Sequence, residues 1–302
     1  MRNKLYGVTV AMVTPFTADG RVDRKALVRL TEKLIEKGVN CLYPCGTTGE
    51  MVHLSAGERK EIAETVIGTA AGRVPVFIHC GAVRQEETEE LLLHAAASGA
   101  DGAGVVTPMF LGATQEEILT YYRRLSDLVP PGFPIYLYNI PQCSGNDLNA
   151  ETARNLAKEC DNIIGIKYSW TDIPRILEYL QIPDFSVLHG CDKIFAELLL
   201  MGCDGTVSGV AGVFPEPFVA VYEAWKHRDI SELQRWQKVC VRFCDLLRCG
   251  TNMSWFKQAL SLRGLSVGGM RAPQLDLAST DTAQTLRQLE ELCRETGIRL
   301  EI

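Results

Sequence analysis

Apolar runs and amphipathic stretches alternate along this chain. Eight short apolar, β-rich runs recur, at residues 7–15, 41–45, 74–80, 102–108, 134–140, 163–169, 186–190 and 205–210. Continuous apolar runs of this length fit strands buried on both faces. Between them lie Leu/Ala/Glu-rich stretches with helical spacing, and several carry start signals. Ser55-Ala56-Gly57-Glu58 has the form of a capping box, and Asp23, Thr114 and Asp192 stand where N-caps belong. Gly38, Gly99 and Gly202 each close a helical stretch just ahead of the next strand, as a glycine past a helix C-terminus does. The tracts Gly38-Val39-Asn40, Gly99-Ala100-Asp101-Gly102 and Gly202-Cys203-Asp204-Gly205 share this place at uneven intervals, so the local architecture repeats without a solenoid period.

Strict β-α alternation predicts a parallel sheet, because parallel strands need crossover connections. Eight such units predict a closed (β/α)8 TIM barrel over residues 1–226. The alternative is an open doubly wound sheet, which opens on a Gly-rich turn; Thr14-Pro15-Phe16-Thr17 is not one. From about residue 227 the strand signal stops. Residues 230–248, 253–262 and 281–296 read as helices, which predicts a C-terminal three-helix extension over 227–302, packed on the barrel or on a neighbouring subunit.

Composition narrows the classes. The 302 residues are 46% hydrophobic and 23% charged, an ordinary globular balance. A net charge of −6 with no basic run argues against a nucleic-acid partner. No apolar stretch reaches the roughly 18 residues a membrane span needs, and the opening residues carry no signal-peptide pattern, so the expected location is the cytoplasm. Of eleven cysteines, Cys41, Cys45, Cys80, Cys160, Cys191, Cys203 and Cys293 sit among apolar residues and read as core thiols of a reducing compartment. Cys240, Cys244 and Cys249 lie closer together, but no fourth ligand has metal-site spacing; no metal is expected.

The polar chemistry gathers at the strand ends. Lys167 closes the run Ile163-Ile164-Gly165-Ile166-Lys167. A buried lysine is costly as a cation, and a neutral amine is a nucleophile toward carbonyls. A snorkelling or salt-bridged lysine is the alternative. The second run ends in Gly46-Thr47-Thr48-Gly49-Glu50, where backbone N–H groups and hydroxyls suit a carboxylate, or simply cap a turn. Tyr138 ends the fifth run and has the chemistry of a proton relay. His79 and His189 read as neutral structural histidines. One lysine, one phenol and one carboxylate nest together suit a 2-oxo acid activated as an imine, with no separate cofactor.

These motifs resemble the dihydrodipicolinate synthase / N-acetylneuraminate lyase family of Schiff-base pyruvate aldolases. The likeness runs through Gly7-Val8, Thr14-Pro15-Phe16, the Gly-Thr-Thr-Gly-Glu stretch, Tyr138-Asn139-Ile140-Pro141 and Gly165-Ile166-Lys167. It implies a barrel with a C-terminal helical domain, usually a homotetramer built as a dimer of dimers. It makes Lys167 the imine-forming lysine, Tyr138 the proton shuttle, Thr47 a relay to Tyr138, and Thr47 and Thr48, with Gly46, the carboxylate site. Sugar-contacting positions would fall at Ser169, Gly190, Asp192, Lys193 and Ser208; Val207 and Cys143 complete the expected substrate-binding set, and Phe110 would face a neighbouring subunit.

Two departures bear on substrate. A synthase carries Tyr-Asn-x-Pro-x-Arg-Thr-Gly, whereas this chain has Cys143 at the arginine position. A synthase also tends to Thr-Pro-Tyr-Tyr after the fourth strand, where this chain has Thr107-Pro108-Met109-Phe110. Lys193 stands where the sialate lyases carry an acid, which points away from sialate and toward an acidic substrate tail. The reading is a lyase or aldolase joining pyruvate, or another 2-oxo acid, to a polar aldehyde, as in a 2-keto-3-deoxy sugar acid aldolase. The alternatives are dihydrodipicolinate synthase, a dehydratase or deaminase using the same imine, and a non-catalytic 2-oxo acid binding protein.

Overall fold

A computed structural model describes residues 4–301. Its strands are β1 (Gly7–Ala11), β2 (Cys41–Tyr43), β3 (Phe77–His79), β4 (Gly102–Val106), β5 (Ile135–Asn139), β6 (Ile163–Tyr168), β7 (Ser186–His189) and β8 (Gly205–Ser208). All pair in parallel, in the order β2-β1-β8-β7-β6-β5-β4-β3. The seam between β2 and β3 is joined by a parallel bridge from Leu42 to Val76, with Leu42 N–H donating to Pro75 O at 3.0 Å and His79 N–H to Pro44 O at 3.2 Å. The sheet is therefore a barrel, as the alternation predicts. Several strands are shorter than their apolar runs. At this seam the reason is local: Pro44 and Pro75 lack N–H groups and cannot extend the ladder.

Helices α1 (Arg24–Glu36), α2 (Ala56–Ala70), α3 (Gln85–Ala97), α4 (Gln115–Leu128), α5 (Pro141–Ser144), α6 (Ala150–Glu159), α7 (Ile173–Leu180), α8 (Phe195–Met201) and α9 (Pro215–Lys226) make the crossovers. Asp23 caps α1, and Ser55 with Glu58 and Thr114 with Glu117 form reciprocal capping boxes on α2 and α4. Gly38, Gly99 and Gly202 have positive φ, as expected past helix ends. Asp192 is different from its expectation as a cap: it opens a 3-10 turn, and its carboxylate is turned to β8. The four-residue helix α5 was not legible, being a single turn set by Pro141.

Strand β6 shows how the fold aims Lys167. Ile135 of β5 pairs with Ile163, but Tyr136 pairs with Gly165, so β6 holds one extra residue there. A bulge of this kind shifts the in-out alternation by one. Ile164 packs with the barrel interior, whereas Ile163 and Ile166 pack with the outer core. The bulge thus returns Lys167 to the inside. Gly165 fits it because a Cβ there would lie 2.5 Å from both Ser186 O and the Tyr136 ring.

The C-terminal residues form α10 (Ile230–Leu246), α11 (Ser254–Leu262) and α12 (Ser279–Thr296). They pack on the barrel of the same chain. Phe243 of α10 stacks on Phe214 at 4.2 Å, and the buried Arg263 pairs with Glu216 at 2.6 Å while donating to Leu300 O at 3.0 Å. The eleven cysteines are free thiols; Cys143 and Cys249 are exposed, Cys191 is half-buried and the rest are core. Among the described residues no helix is long and apolar enough to cross a membrane, and no group of three His, Cys, Asp or Glu is placed to hold a metal.

Candidate active site

A cavity of about 330 Å³ opens at the C-terminal ends of the strands, the end where barrels of this kind carry chemistry. Lys167 lines it and is 7% exposed. Its Nζ lies 4.0 Å from the centre of the Tyr138 ring and 5.2 Å from that of Tyr43. Tyr138 and Lys167 are register partners on adjacent strands, which is why phenol and amine meet. The Tyr138 hydroxyl is 3.3 Å from Thr47 Oγ1.

Thr47 and Thr48 line the cavity from a tightly wound loop. Cys45 and Glu50, with φ of 63° and 58°, bound the turn, and Glu50 N–H donates to Thr47 O at 3.0 Å. Gly49 sits where a Cβ would be 3.1 Å from Met12 O. The Glu50 carboxylate is buried and pairs with the buried Lys257 ammonium of α11 at 2.6 Å. Lys257 also donates to Gly269 O at 2.7 Å. Burial pulls the Lys257 ammonium below its ordinary range, and the Glu50 charge opposes that pull.

Asp192 lines the cavity from the turn after β7. Ser208 Oγ donates to its Oδ2 at 2.7 Å and Thr206 Oγ1 to its Oδ1 at 3.3 Å. Burial nonetheless pushes its carboxyl up to about 7. Ser169, Gly190, Val207 and Cys143 also line the cavity. A Cβ at Gly190 would lie 2.4 Å from Ser169 Oγ, so a larger residue there would have to displace that hydroxyl.

Three positions expected at the substrate are not among the residues that line the cavity. Ser208 is almost wholly buried behind Asp192, so it bears on the cavity through that carboxylate. Gly46 is buried beneath the loop, its carbonyl accepting Met51 N–H at 3.3 Å. Lys193 is not among the residues lining the cavity, and its ammonium pairs with Asp245 of α10. Phe110, expected to face a neighbouring subunit and not this cavity, is 88% exposed.

Both barrel histidines are buried and held neutral. Burial brings His189 down to about 3, and His79 is pushed well below its ordinary range by burial, then by Arg59 and Lys167. His79 Nδ1 lies 3.1 Å from Cys45 O and His189 Nδ1 accepts Cys191 N–H at 3.2 Å, which fits structural roles. Three contributions went unread in the sequence. Tyr43 stands beside Lys167; Gln142 donates to Ser169 O at 2.7 Å; and Cys249, Gly250, Thr251, Met253 and Phe256 form a cavity wall. Phe256 packs so closely over Gly209 that a Cβ there would be 2.8 Å from its ring. That wall had no local signal, because it comes from the helical addition some 80 residues beyond Lys167.

A closed (β/α)8 barrel with a lysine buried at its mouth, under a phenol and beside a threonine-glycine loop, defines the imine-forming class of barrel lyases. The comparisons agree. The model of the dihydrodipicolinate synthetase family matches residues 4–292. An uncharacterised DapA-like lyase of Halobacterium salinarum is 35% identical over 289 residues, 95% of this chain and 94% of that one. A 4-hydroxy-tetrahydrodipicolinate synthase of Methanopyrus kandleri is 33% identical, over 94% of this chain and 95% of that one. Escherichia coli K12 YagE, provisionally named a 2-dehydro-3-deoxy-D-gluconate aldolase, is 31% identical over 95% of this chain and 97% of its own. The crystal structure of YagE with pyruvate superposes with a TM-score of 0.90, covering 95% of this chain and 98% of that one. The chain belongs to the dihydrodipicolinate synthetase family, Schiff-base pyruvate lyases and aldolases that work through a covalent lysine–pyruvate imine without an external cofactor.

Proposed function

We propose that this chain is an aldolase for 2-keto-3-deoxy sugar acids, cleaving them to pyruvate and a neutral hydroxylated aldehyde, or running in reverse. One observation carries the choice of acceptor. Among the described residues lining the cavity, Lys167 is the sole cation and Asp192 the sole carboxylate. A semialdehyde bearing its own carboxylate would meet no free cation and would face Asp192, whereas sugar hydroxyls would find in Asp192 an acceptor and in Ser169 and Gln142 neutral partners. The relationship to YagE supports the same reading.

In this reading Lys167 Nζ attacks the keto carbon, and loss of water leaves an iminium. The Thr47–Thr48 loop holds the pyruvyl carboxylate. Tyr138, linked to Thr47, takes the proton of the C4 hydroxyl; the C3–C4 bond breaks, its electrons form the enamine, and the aldehyde leaves. Protonation at C3 and hydrolysis release pyruvate. Gly190, Val207 and Cys143 shape the acceptor side, with Ser208 acting through Asp192. The division into a barrel, 1–226, and a helical addition, 227–302, a cytoplasmic location, and a homotetramer in which Phe110 meets a neighbour belong to the same proposal.

The test is paired. Pyruvate release from 2-keto-3-deoxy-gluconate is compared with condensation of pyruvate and aspartate semialdehyde, with Lys167→Ala as the blank. Cleavage at an enzyme-like rate, lost in the blank, is the expected result. Faster semialdehyde condensation would overturn the acceptor argument and make the protein a synthase.

A further inference from the structure

Among the described residues, no carboxylate lies within ion-pair distance of Lys167. The amine is nevertheless buried, and the imine proposed above carries a full positive charge on the same nitrogen. What surrounds that nitrogen instead is aromatic: Tyr138 at 4.0 Å and Tyr43 at 5.2 Å from Nζ to ring centre. The Tyr138 phenol is linked to Thr47, but the Tyr43 hydroxyl is buried and has no hydrogen-bond partner among the described residues. The barrel makes room for it at a cost. The Tyr43 hydroxyl occupies the space above Gly104 of β4, where a Cβ would lie 2.0 Å away, and glycine weakens a strand interior. A leucine would fill apolar core without an orphaned hydroxyl. The ring is further fixed edge-on to His79 at 6.0 Å, which is itself edge-on to Tyr138 at 5.7 Å.

We infer that Tyr43 is a positioning residue whose π face, together with that of Tyr138, holds the charge on Lys167 Nζ where no carboxylate pairs with it. The inference rests on the imine reading above. Ring faces carry negative electrostatic potential and attract a cation within about 6 Å. The proton balance fixes where this matters. From the ammonium, imine formation exchanges the keto oxygen for water with no net proton, and both states carry the charge. From the neutral amine, it takes up one proton and creates the charge. The π wall therefore favours the iminium on the alkaline flank and is nearly neutral on the acid side.

The titratable groups around Nζ are Tyr43 of β2, His79 of β3, Tyr138 of β5, Cys143 of α5 and Asp192 after β7. Burial holds Tyr43 and Cys143 above their ordinary ranges and His79 below its own. Asp192 ionises near 7 and stays charged above that.

The experiment replaces Tyr43 by phenylalanine and by its mono- to trifluorinated forms, which drain the π face at nearly constant shape. Imine formed with pyruvate is trapped by cyanoborohydride across pH and read by intact mass. Tyr43→Phe should keep the native profile. Fluorination should lower the adduct stepwise at a fixed alkaline pH, by about 2- to 30-fold over the series, while leaving the acid side unchanged. A flat fluorine series, a loss equal at every pH, or a Tyr43→Phe profile already displaced would overturn the inference. No adduct in the native protein would instead remove the imine reading itself, and this one with it.

Discussion

Asp192 is the residue on which acceptor choice turns. Its carboxyl accepts from Ser208 and Thr206, yet burial keeps it protonated up to about 7. Below that pH it offers a neutral acid and above it a charge-strengthened acceptor for sugar hydroxyls. Activity on a hydroxylated acceptor should therefore rise with pH through about 7, and Asp192→Asn should flatten that step and cut kcat/KM about 10- to 100-fold. Pyruvate trapping on Lys167 should remain in this variant, since the loss lies on the acceptor side; pH–rate profiles with both readouts test it. Stability carries the opposite sign. A carboxyl raised from an ordinary 3.8 to about 7 favours the fold while protonated, so its contribution is full below about 4 and lost as pH climbs to about 7. The asparagine variant should lack that decline.

At the scale of elements, the link between α11 and the threonine loop is the pair Glu50–Lys257, with side chains 3% and 1% exposed. A buried pair is poor evidence of net stabilisation, but breaking one side strands a charge. Lys257→Met should destabilise the protein by about 3–5 kcal/mol and raise the KM for pyruvate, because Glu50 N–H also holds Thr47 O. Adding Glu50→Gln should recover much of that stability; denaturant titration of the two variants decides. This pair also marks the limit of what the chain's pattern reveals. The strands, the capping boxes at Ser55 and Thr114 and the glycine stops were legible because each depends on neighbours within a few residues. So was the gathering of Lys167, Tyr138 and Thr47, since all three stand at strand ends that a closed barrel must bring together. The partnership of Glu50 with Lys257, the wall from Cys249 to Phe256 and the retreat of Lys193 to Asp245 were not, because each depends on where α10 and α11 dock. The bulge at Gly165 lay between these cases: a glycine inside a strand hints at one, but only the pairing with Tyr136 shows which way Lys167 is turned.

At the scale of the whole molecule, exposed apolar side chains recur on the loops after three adjacent strands. Val52, Val83, Phe110 and Leu111, which follow the adjacent strands β2, β3 and β4, are 68%, 66%, 88% and 74% exposed. Beside them an apolar pocket of about 110 Å³, lined by Met51, Val52, Val106 and Met109, shares Thr47, Ile140 and Cys143 with the active-site cavity. Large apolar side chains exposed on neighbouring loops are costly in water, and the homotetramer proposed above would cover them. A second copy of the chain suits them, since an isologous contact would set one Phe110 near the other protomer's cavity mouth and join two active sites across one interface. Phe110→Asp should then split the assembly, because the new carboxylate would be buried without a counter-charge. Sedimentation velocity should show a smaller species, and activity should fall with it if the neighbour helps to close the cavity. A monomer before and after the substitution would leave these residues to some other partner and would make each barrel complete on its own.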